Sequence, residues 1–320
     1  MHRTMRTLLL FVAFVFALGA HAQQYPNHPI KLIVPWPPGG AVDIIGRLVA
    51  DSITGPLGQP VVVDNRGGAA GAIGSDIAAK SPPDGYTLLM GSTTVISINP
   101  ALQKLPYAPT DFAPITMVAF VPHILVIPAE VPANNLKEFV AWVKANPGKV
   151  SYASAGPGTP HHIAGEMFKS LAGVEMLQVP YKGTGPALID LMANRVQFMS
   201  VEAVAALPHV RSGKLKALGV ATPQRNALAP DIPTVAEAGL PGFEVTAWYG
   251  VVAPVGVPQP AADLLAKTVS NALESATFRE KLAGMGATPV GGTPEQFGAL
   301  LKVENAKWAK AIKDANIHLD

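Results

Sequence analysis

Three short apolar runs constrain the first hundred residues: Ile30 to Val34, Val61 to Val63 and Tyr86 to Met90. Each is bounded by Gly, Pro, Asn or Asp, the pattern of strands buried on both faces. Between them, Ile44, Leu48 and Val49 begin a helical face. Ala69 to Lys80 reads as a helix packed close to a sheet through Gly71 and Gly74. Strand, helix, strand, helix, strand predicts a parallel sheet joined by right-handed crossovers. Ligands of such sheets bind beyond the carboxyl ends of the strands. Two turns lie there, at residues 35–40 and at Gly91-Ser92-Thr93-Thr94.

The first turn, Pro35-Trp36-Pro37-Pro38-Gly39-Gly40, runs into Ala41-Val42-Asp43. Prolines fix φ and remove donors, while Gly39 and Gly40 let a ligand approach bare backbone. A helix that starts there presents unpaired N–H groups and the positive end of its dipole, which suits an anion. Trp36, an indole between prolines, is poorly placed for a core and well placed as a ligand wall. A second such turn, Ser154-Ala155-Gly156-Pro157-Gly158-Thr159-Pro160, again links a strand to a helix.

Phe112 to Phe120 and Ile124 to Ile127 read as strands that carry the chain to a second unit. Leu136, Phe139, Val140 and Val143 make an amphipathic helix closed by Asn146-Pro147-Gly148. Strands are then expected at 150–153, 176–179, 196–201 and 215–221, with helices at 160–171 and 186–192. The Pro-rich stretch 229–241 resembles a linker. Residues 246–253 read as a strand returning to the first unit, followed by helices near 260–275 and 294–315. The expected architecture is α/β, two lobes in the manner of a Venus flytrap, each a mostly parallel sheet flanked by helices. Residues 23–122 and 245–320 form lobe 1 and residues 123–244 form lobe 2, with a ligand in the cleft.

Arg3 and Arg6, the apolar run Leu8 to Leu18 and Ala20-His21-Ala22 form a cleavable secretory signal over residues 1–22, with Gln23 as the mature start. Its apolar core is too short to span a bilayer. Removing 22 of 320 residues leaves 298, and takes two positive charges and no acid, so the formal charge falls from +2 to zero. No bulk field remains to draw nucleic acid or an anionic membrane. The chain has no Cys, which excludes a disulfide or a lipid-bearing thiol. These features fit a monomeric periplasmic protein.

Motifs for covalent or nucleotide chemistry are absent. Ser154 lacks the G-x-S-x-G elbow, no P-loop occurs, and Gly68 to Gly74 is not G-x-G-x-x-G. His161, His162 and Glu166 invite a metal reading, since His162 and Glu166 are helix neighbours, but H-E-x-x-H is missing; they read instead as a polar helix start, and no metal site and no cofactor are expected. Asp43 and Glu202 are the acids available for a carboxylate pair. Tyr181-Lys182-Gly183 either brings a donor to the cleft or forms a solvated loop.

Together these motifs resemble the Bug family, extracytoplasmic solute receptors of tripartite tricarboxylate transporters. The resemblance is carried by residues 35–40 with Asp43 and Arg47, by Asn65-Arg66, Pro83-Asp84-Gly85-Tyr86-Thr87-Leu88 and Asn99-Pro100. It continues through residues 154–159 with His162, Pro180-Tyr181-Lys182-Gly183, Gly213-Lys214-Leu215-Lys216-Ala217-Leu218 and Pro233-Thr234-Val235-Ala236-Glu237-Ala238-Gly239. It implies a receptor, not an enzyme, that delivers a small di-, tri- or aromatic carboxylate to an inner-membrane permease pair. It also implies that loops 35–41 and 154–159 grip one carboxylate through backbone N–H groups and ordered water. The candidate ligand-binding residues are therefore Trp36, Gly39, Gly40, Ala41 and Asp43 from the first turn, with Ser92 and Thr93 from the third strand. The second lobe adds Ser154, Ala155, Gly156, Gly158, Thr159, His162 and Glu202. Many relatives carry an Asp after the strand where Met199-Ser200-Val201-Glu202 stands; here the nearest acid is Glu202, which leaves a contact to a ligand amine open. The residue after Pro35 is often a smaller aromatic in the family, and Trp36 points to a flat or longer ligand. The competing classes are a sensor signalling to a membrane kinase and a periplasmic enzyme using Asp43 or His162.

Overall fold

The computed structural model describes residues 25–226 and 229–314, so the expected signal segment and its cleavage site lie outside the described residues. The predicted parallel core is present. Strand β1 (Ile30–Val34) sits between β2 (Val61–Asn65) and β3 (Thr87–Ser92), parallel to both, with Leu32 opposite Val63 and Leu88. Helix α1 (Ala41–Leu57) crosses from β1 to β2, and α2 (Ala72–Ala79) crosses from β2 to β3. β3 runs on into a π-helical turn, Thr93–Ile98.

One strand joins the two halves. β4 spans Phe112–Pro128, where the sequence reads as two strands around Pro122. Its first part, to Pro122, pairs antiparallel with β9 (Thr246–Pro254), which itself pairs antiparallel with β3. Its last part, His123 to Pro128, pairs with β7 (Met199–Glu202) and β8 (Leu215–Val220). The strand survives Pro122 because that residue falls at the last pair of the β9 ladder, where partners change and its missing N–H is not needed. The sheet is thus mixed, its order β10-β4-β9-β3-β1-β2, with β10 being Thr288–Pro289. A second, parallel pair is formed by β5 (Ser151–Ser154) and β6 (Leu177–Pro180).

Helices cover both halves. α3 (Leu136–Ala145), α4 (Pro160–Ala172), α5 (Thr184–Met192) and α6 (Ala203–Arg211) belong to the second. α7 (Gln259–Glu274), α8 (Ala276–Gly284) and α9 (Pro294–Asp314) return to the first. α6 escapes sequence reading because Ala203 to Leu207 are all buried, leaving no apolar stripe, and Pro208 lies inside it. The stretch 229–241 is not a free linker. Val235 is fully buried, and its N–H donates to the Val220 carbonyl at 2.9 Å.

α3 shows how local sequence sets the packing. Leu136, Phe139 and Val143 are buried as the spacing requires. The Asn135 side chain accepts from the Glu138 N–H at 2.9 Å, and the Glu138 carboxylate accepts from the Asn134 N–H at 2.7 Å. The buried face meets a ring stack in which Phe198 lies 5.5 Å from Phe139 and 4.5 Å from Phe168, centroid to centroid. Asn135→Ala should cost about 1 kcal/mol of stability, read as a lower urea midpoint at unchanged slope. A midpoint equal to the parent's would mean that the cap contributes nothing.

Two crossings join the two halves, at Pro122–His123 and at Val245–Thr246. They are stitched together by three bonds: Ala221 N–H to His123 O at 2.8 Å, His123 N–H to Val245 O at 3.0 Å, and Val245 N–H to Ala221 O at 3.0 Å.

Candidate ligand cleft

Fifteen residues from both lobes enclose a narrow cleft of about 20 Å³ on the carboxyl ends of the strands. From lobe 1 come Trp36, Gly40, Ala41, Val42, Ser92, Thr93, Thr94, Ala247 and Tyr249. From lobe 2 come Ala155, Thr159, Pro160, His161, Thr184 and Glu202. Three helices, α1, α4 and α5, begin at this cleft.

The α1 start is rigid. The first intrahelical bond is Ile44 N–H to Gly40 O at 3.0 Å, so the N–H groups of Ala41 and Val42 have no partner within the helix. Asp43 locks the turn behind them, accepting from the Gly39 N–H at 3.0 Å, from Asn65 Nδ2 at 2.9 Å and from Arg47 at 2.9 Å. Burial alone would raise its pKa. The Arg47, Asn65 and Gly39 bonds outweigh burial and hold the carboxyl below its ordinary range. Asp43 therefore shapes the turn, and its oxygens are already taken. Trp36 is buried, and its Nε1 finds no acceptor. Ser92 Oγ is likewise buried without a partner. Thr93 Oγ1 accepts from the Trp248 N–H at 2.8 Å and so ties β3 to β9.

In the second lobe the 154–160 turn is wired from within. Gly156 N–H donates to Ser154 Oγ at 3.3 Å, Gln178 Nε2 donates to the same oxygen at 2.9 Å, and Gly158 N–H donates to His162 Nδ1 at 3.1 Å. Thr159 occupies the N-cap position, but its hydroxyl makes no cap bond; it donates to the Gly156 carbonyl at 2.7 Å. Its single proton is spent inside the turn, which leaves it only an acceptor toward the cleft.

The floor is a buried polar cluster. Glu202 accepts from Tyr249 Oη at 3.1 Å and pairs with His161 Nε2 at 3.0 Å. Thr184 Oγ1 lies 3.2 Å from the same nitrogen. Burial would raise the Glu202 carboxyl, but His161 beside it holds it far below its ordinary range. Burial and then Glu202 push the Tyr249 phenol well up. Behind them His123 Nδ1 meets Ser200 Oγ at 3.1 Å, and burial lowers this imidazole to about 4. Among the described residues, His123, His161 and Glu202 are the group whose donor atoms, all within 4.8 Å, have the spacing of a cation site. The His161–Glu202 bond already uses two of those atoms.

Eight of the expected residues line the cleft: Trp36, Gly40, Ala41, Ser92, Thr93, Ala155, Thr159 and Glu202. Gly39, Asp43, Ser154, Gly156, Gly158 and His162 stand behind it as the frame of the two turns. Asp43 and Glu202 belong to separate hydrogen-bond networks, so no catalytic carboxylate pair forms. Tyr181 turns away to Asp190, 2.9 Å from its hydroxyl, and Lys182 is exposed. Sequence reading missed Val42, Thr94, Pro160, His161, Thr184, Ala247 and Tyr249. A signal existed for Thr184, since Gly183-Thr184-Gly185-Pro186 repeats the small-residue character of the 154–160 turn. For Ala247 and Tyr249 there was none, because β9 is buried almost throughout and shows no alternation.

A two-lobed α/β clamp with helix starts facing an inter-lobe cleft is the architecture of the periplasmic binding proteins. The structure called periplasmic binding protein BugD matches with a TM-score of 0.88 and 38% identity, covering 92% of this chain and 99% of that one. More narrowly, the chain belongs to the tripartite tricarboxylate transporter receptors, since the family profile described as "Tripartite tricarboxylate transporter family receptor" matches residues 45–317. Protein BugT of Bordetella pertussis is 38% identical over 323 residues, spanning 100% of this chain and 99% of its own. Two solved relatives hold acids. Rpa4515 of R. palustris with adipate has a TM-score of 0.88 and 34% identity, covering 92% of this chain and 99% of its own. MatC (Rpa3494) of Rhodopseudomonas palustris with bound malate has 0.84 and 33%, covering 90% and 100%. Among the described residues no helix is long and apolar enough to cross a membrane.

Proposed function

We propose that this protein is a non-enzymatic periplasmic receptor that closes on a small organic acid and delivers it to an inner-membrane permease pair. The acid is a di- or tricarboxylate or an aromatic carboxylate. The observation that carries this reading is the convergence of the α1, α4 and α5 starts on a cleft lined, among the described residues, by no Lys or Arg. Its one acid, Glu202, is matched by His161 and Tyr249. His161 Nδ1 is left without a partner, and the other unmatched groups can donate: the Ala41 and Val42 N–H groups, Trp36 Nε1 and Ser92 Oγ. An anion satisfies them without a cation. The adipate and malate held by two relatives support this ligand class. The lobes divide at 122/123, where β4 changes partners, and at 244/245, just before β9. Residues 1–22 act as the export signal, and the mature chain is a monomer.

Calorimetry of the mature protein against adipate, malate, citrate and benzoate tests the reading. At least one should bind, with an affinity that changes little between low and physiological salt, because the cleft is enclosed and carries no bulk charge. Failure of all four, or an affinity that collapses with salt, would overturn it.

A further inference from the structure

We infer that the first turn of α5 is a latch that seats on the Pro37–Gly40 turn when the lobes shut, and that Gly185 is the positioning residue that permits the fit. The inference rests on the receptor reading above and adds to it a determinant of closure. The Gly39 and Gly40 backbone lies directly against α5. A Cβ on Gly40 would stand 3.2 Å from Thr184 Cβ, and one on Gly39 would stand 3.7 Å from Gly185 Cα. A Cβ on Gly185 would run into the carbonyl oxygen of Pro38, and one on Gly183 would stand 2.9 Å from Pro37 Cδ. These are lobe-to-lobe contacts, made by the same turn that carries the α1 N–H groups.

Gly185 needs a reason to be glycine. It is the second residue of α5 and is not among the glycines with positive φ. Pro186 follows it and crowds the Cβ of a helical residue in front of it, so part of the preference for glycine is local. The contact with Pro38 in the other lobe is the second, independent reason. Gly183 is less diagnostic, because its φ of 156° already requires glycine.

The turn cannot move aside to accept a larger residue. Gly39 is bonded to Asp43 at 3.0 Å. On its far side Pro37 rests on Gly67, where a Cβ would come within 2.8 Å of Pro37 Cδ. The clash is with backbone oxygen, which no rotamer change relieves. A ligand on the α1 N–H groups is therefore enclosed when the α5 turn is seated, and one methyl group at 185 should hold the lobes apart.

The test compares the parent with Gly185→Ala. The chain has no Cys, so spin labels at Lys137→Cys on α3 and Lys302→Cys on α9, both exposed, report lobe separation without background. The variant should keep its helix content and melting temperature, lose the short inter-label distance, and bind adipate or malate about 10- to 100-fold more weakly, the range expected of overpacking at a fixed contact. The loss should appear in the dissociation rate. Equal affinity and an equal short-distance population in Gly185→Ala would overturn the latch. If the parent binds neither acid, the receptor reading fails for those acids. The latch is then decided by distances alone: it stands if the parent's short-distance population vanishes in the variant. It falls if the population persists there or is missing from the parent.

Discussion

Lowering the pH from 7 to 4 should cost this protein about 3 kcal/mol of folding stability, with His123 the main source. Its imidazole sits at the hinge, fully buried, with Nδ1 on Ser200 and Nε2 unpartnered. Burial lowers it from an ordinary 6.5 to about 4, so the fold holds the neutral form. A folded value below the unfolded one means that protons bind the unfolded chain preferentially. The stability is fully present above pH 6.5 and is lost as pH falls toward 4, at about 1.4 kcal/mol per unit. Facing groups act in the same or lower windows. Glu202, held below its ordinary range, withdraws its contribution only beneath the usual carboxylate values near 4.5. His162 and His209, lowered mainly by burial, add a smaller share in the same direction as His123. Urea titrations between pH 4 and 7.5 should show the midpoint falling in the parent and nearly level between 6.5 and 4.5 in His123→Asn. An equally steep fall in the variant would assign the acid sensitivity elsewhere.

The sequence was most informative where one element decides its own structure. The strand before Pro35, the α3 stripe and the two Gly/Pro turns follow from short-range rules and appear as expected; the strand after Pro60 is present but forms the sheet edge, with Val62 exposed rather than buried. What it could not convey were partnerships between distant residues. His161 seemed a polar helix start, yet Glu202 lies 41 positions away and Tyr249 another 47 beyond, so only the closed fold reveals the cluster. Asp43 illustrates the converse. Its place next to the turn was legible, but its role as a brace depended on Asn65 arriving from β2. Thr159 had the right residue type for a cap, and a competing carbonyl, Gly156, took its proton. The Gly185 contact was invisible because a glycine before a helical proline already has a local reason, and Pro38 lies 147 positions away in the other half.

Ala41→Pro should weaken acid binding about 10- to 100-fold while leaving the fold intact, and it probes the backbone directly. Ala41 is the first residue of α1, the position that tolerates proline best because its N–H has no helical partner. Gly40 before it has φ −90° and ψ 170°, the extended geometry that a following proline requires. The substitution removes one N–H that the cleft offers to an anion and puts ring carbon in its place. A hydrogen bond to a charged acceptor is worth roughly 1.5–3 kcal/mol, which sets the expected loss. Helix content and melting temperature should not fall, since proline at this position also restricts the unfolded chain. Arg66→Ala is the matched comparison: Arg66 is half exposed and already 2.9 Å from Asp64, so its removal should change affinity little. Calorimetry on the two variants, with whichever acid the parent binds, separates the mechanisms. An Ala41→Pro protein that binds like the parent, beside an Arg66→Ala protein that has lost the acid, would replace helix-terminus recognition with a surface ion pair.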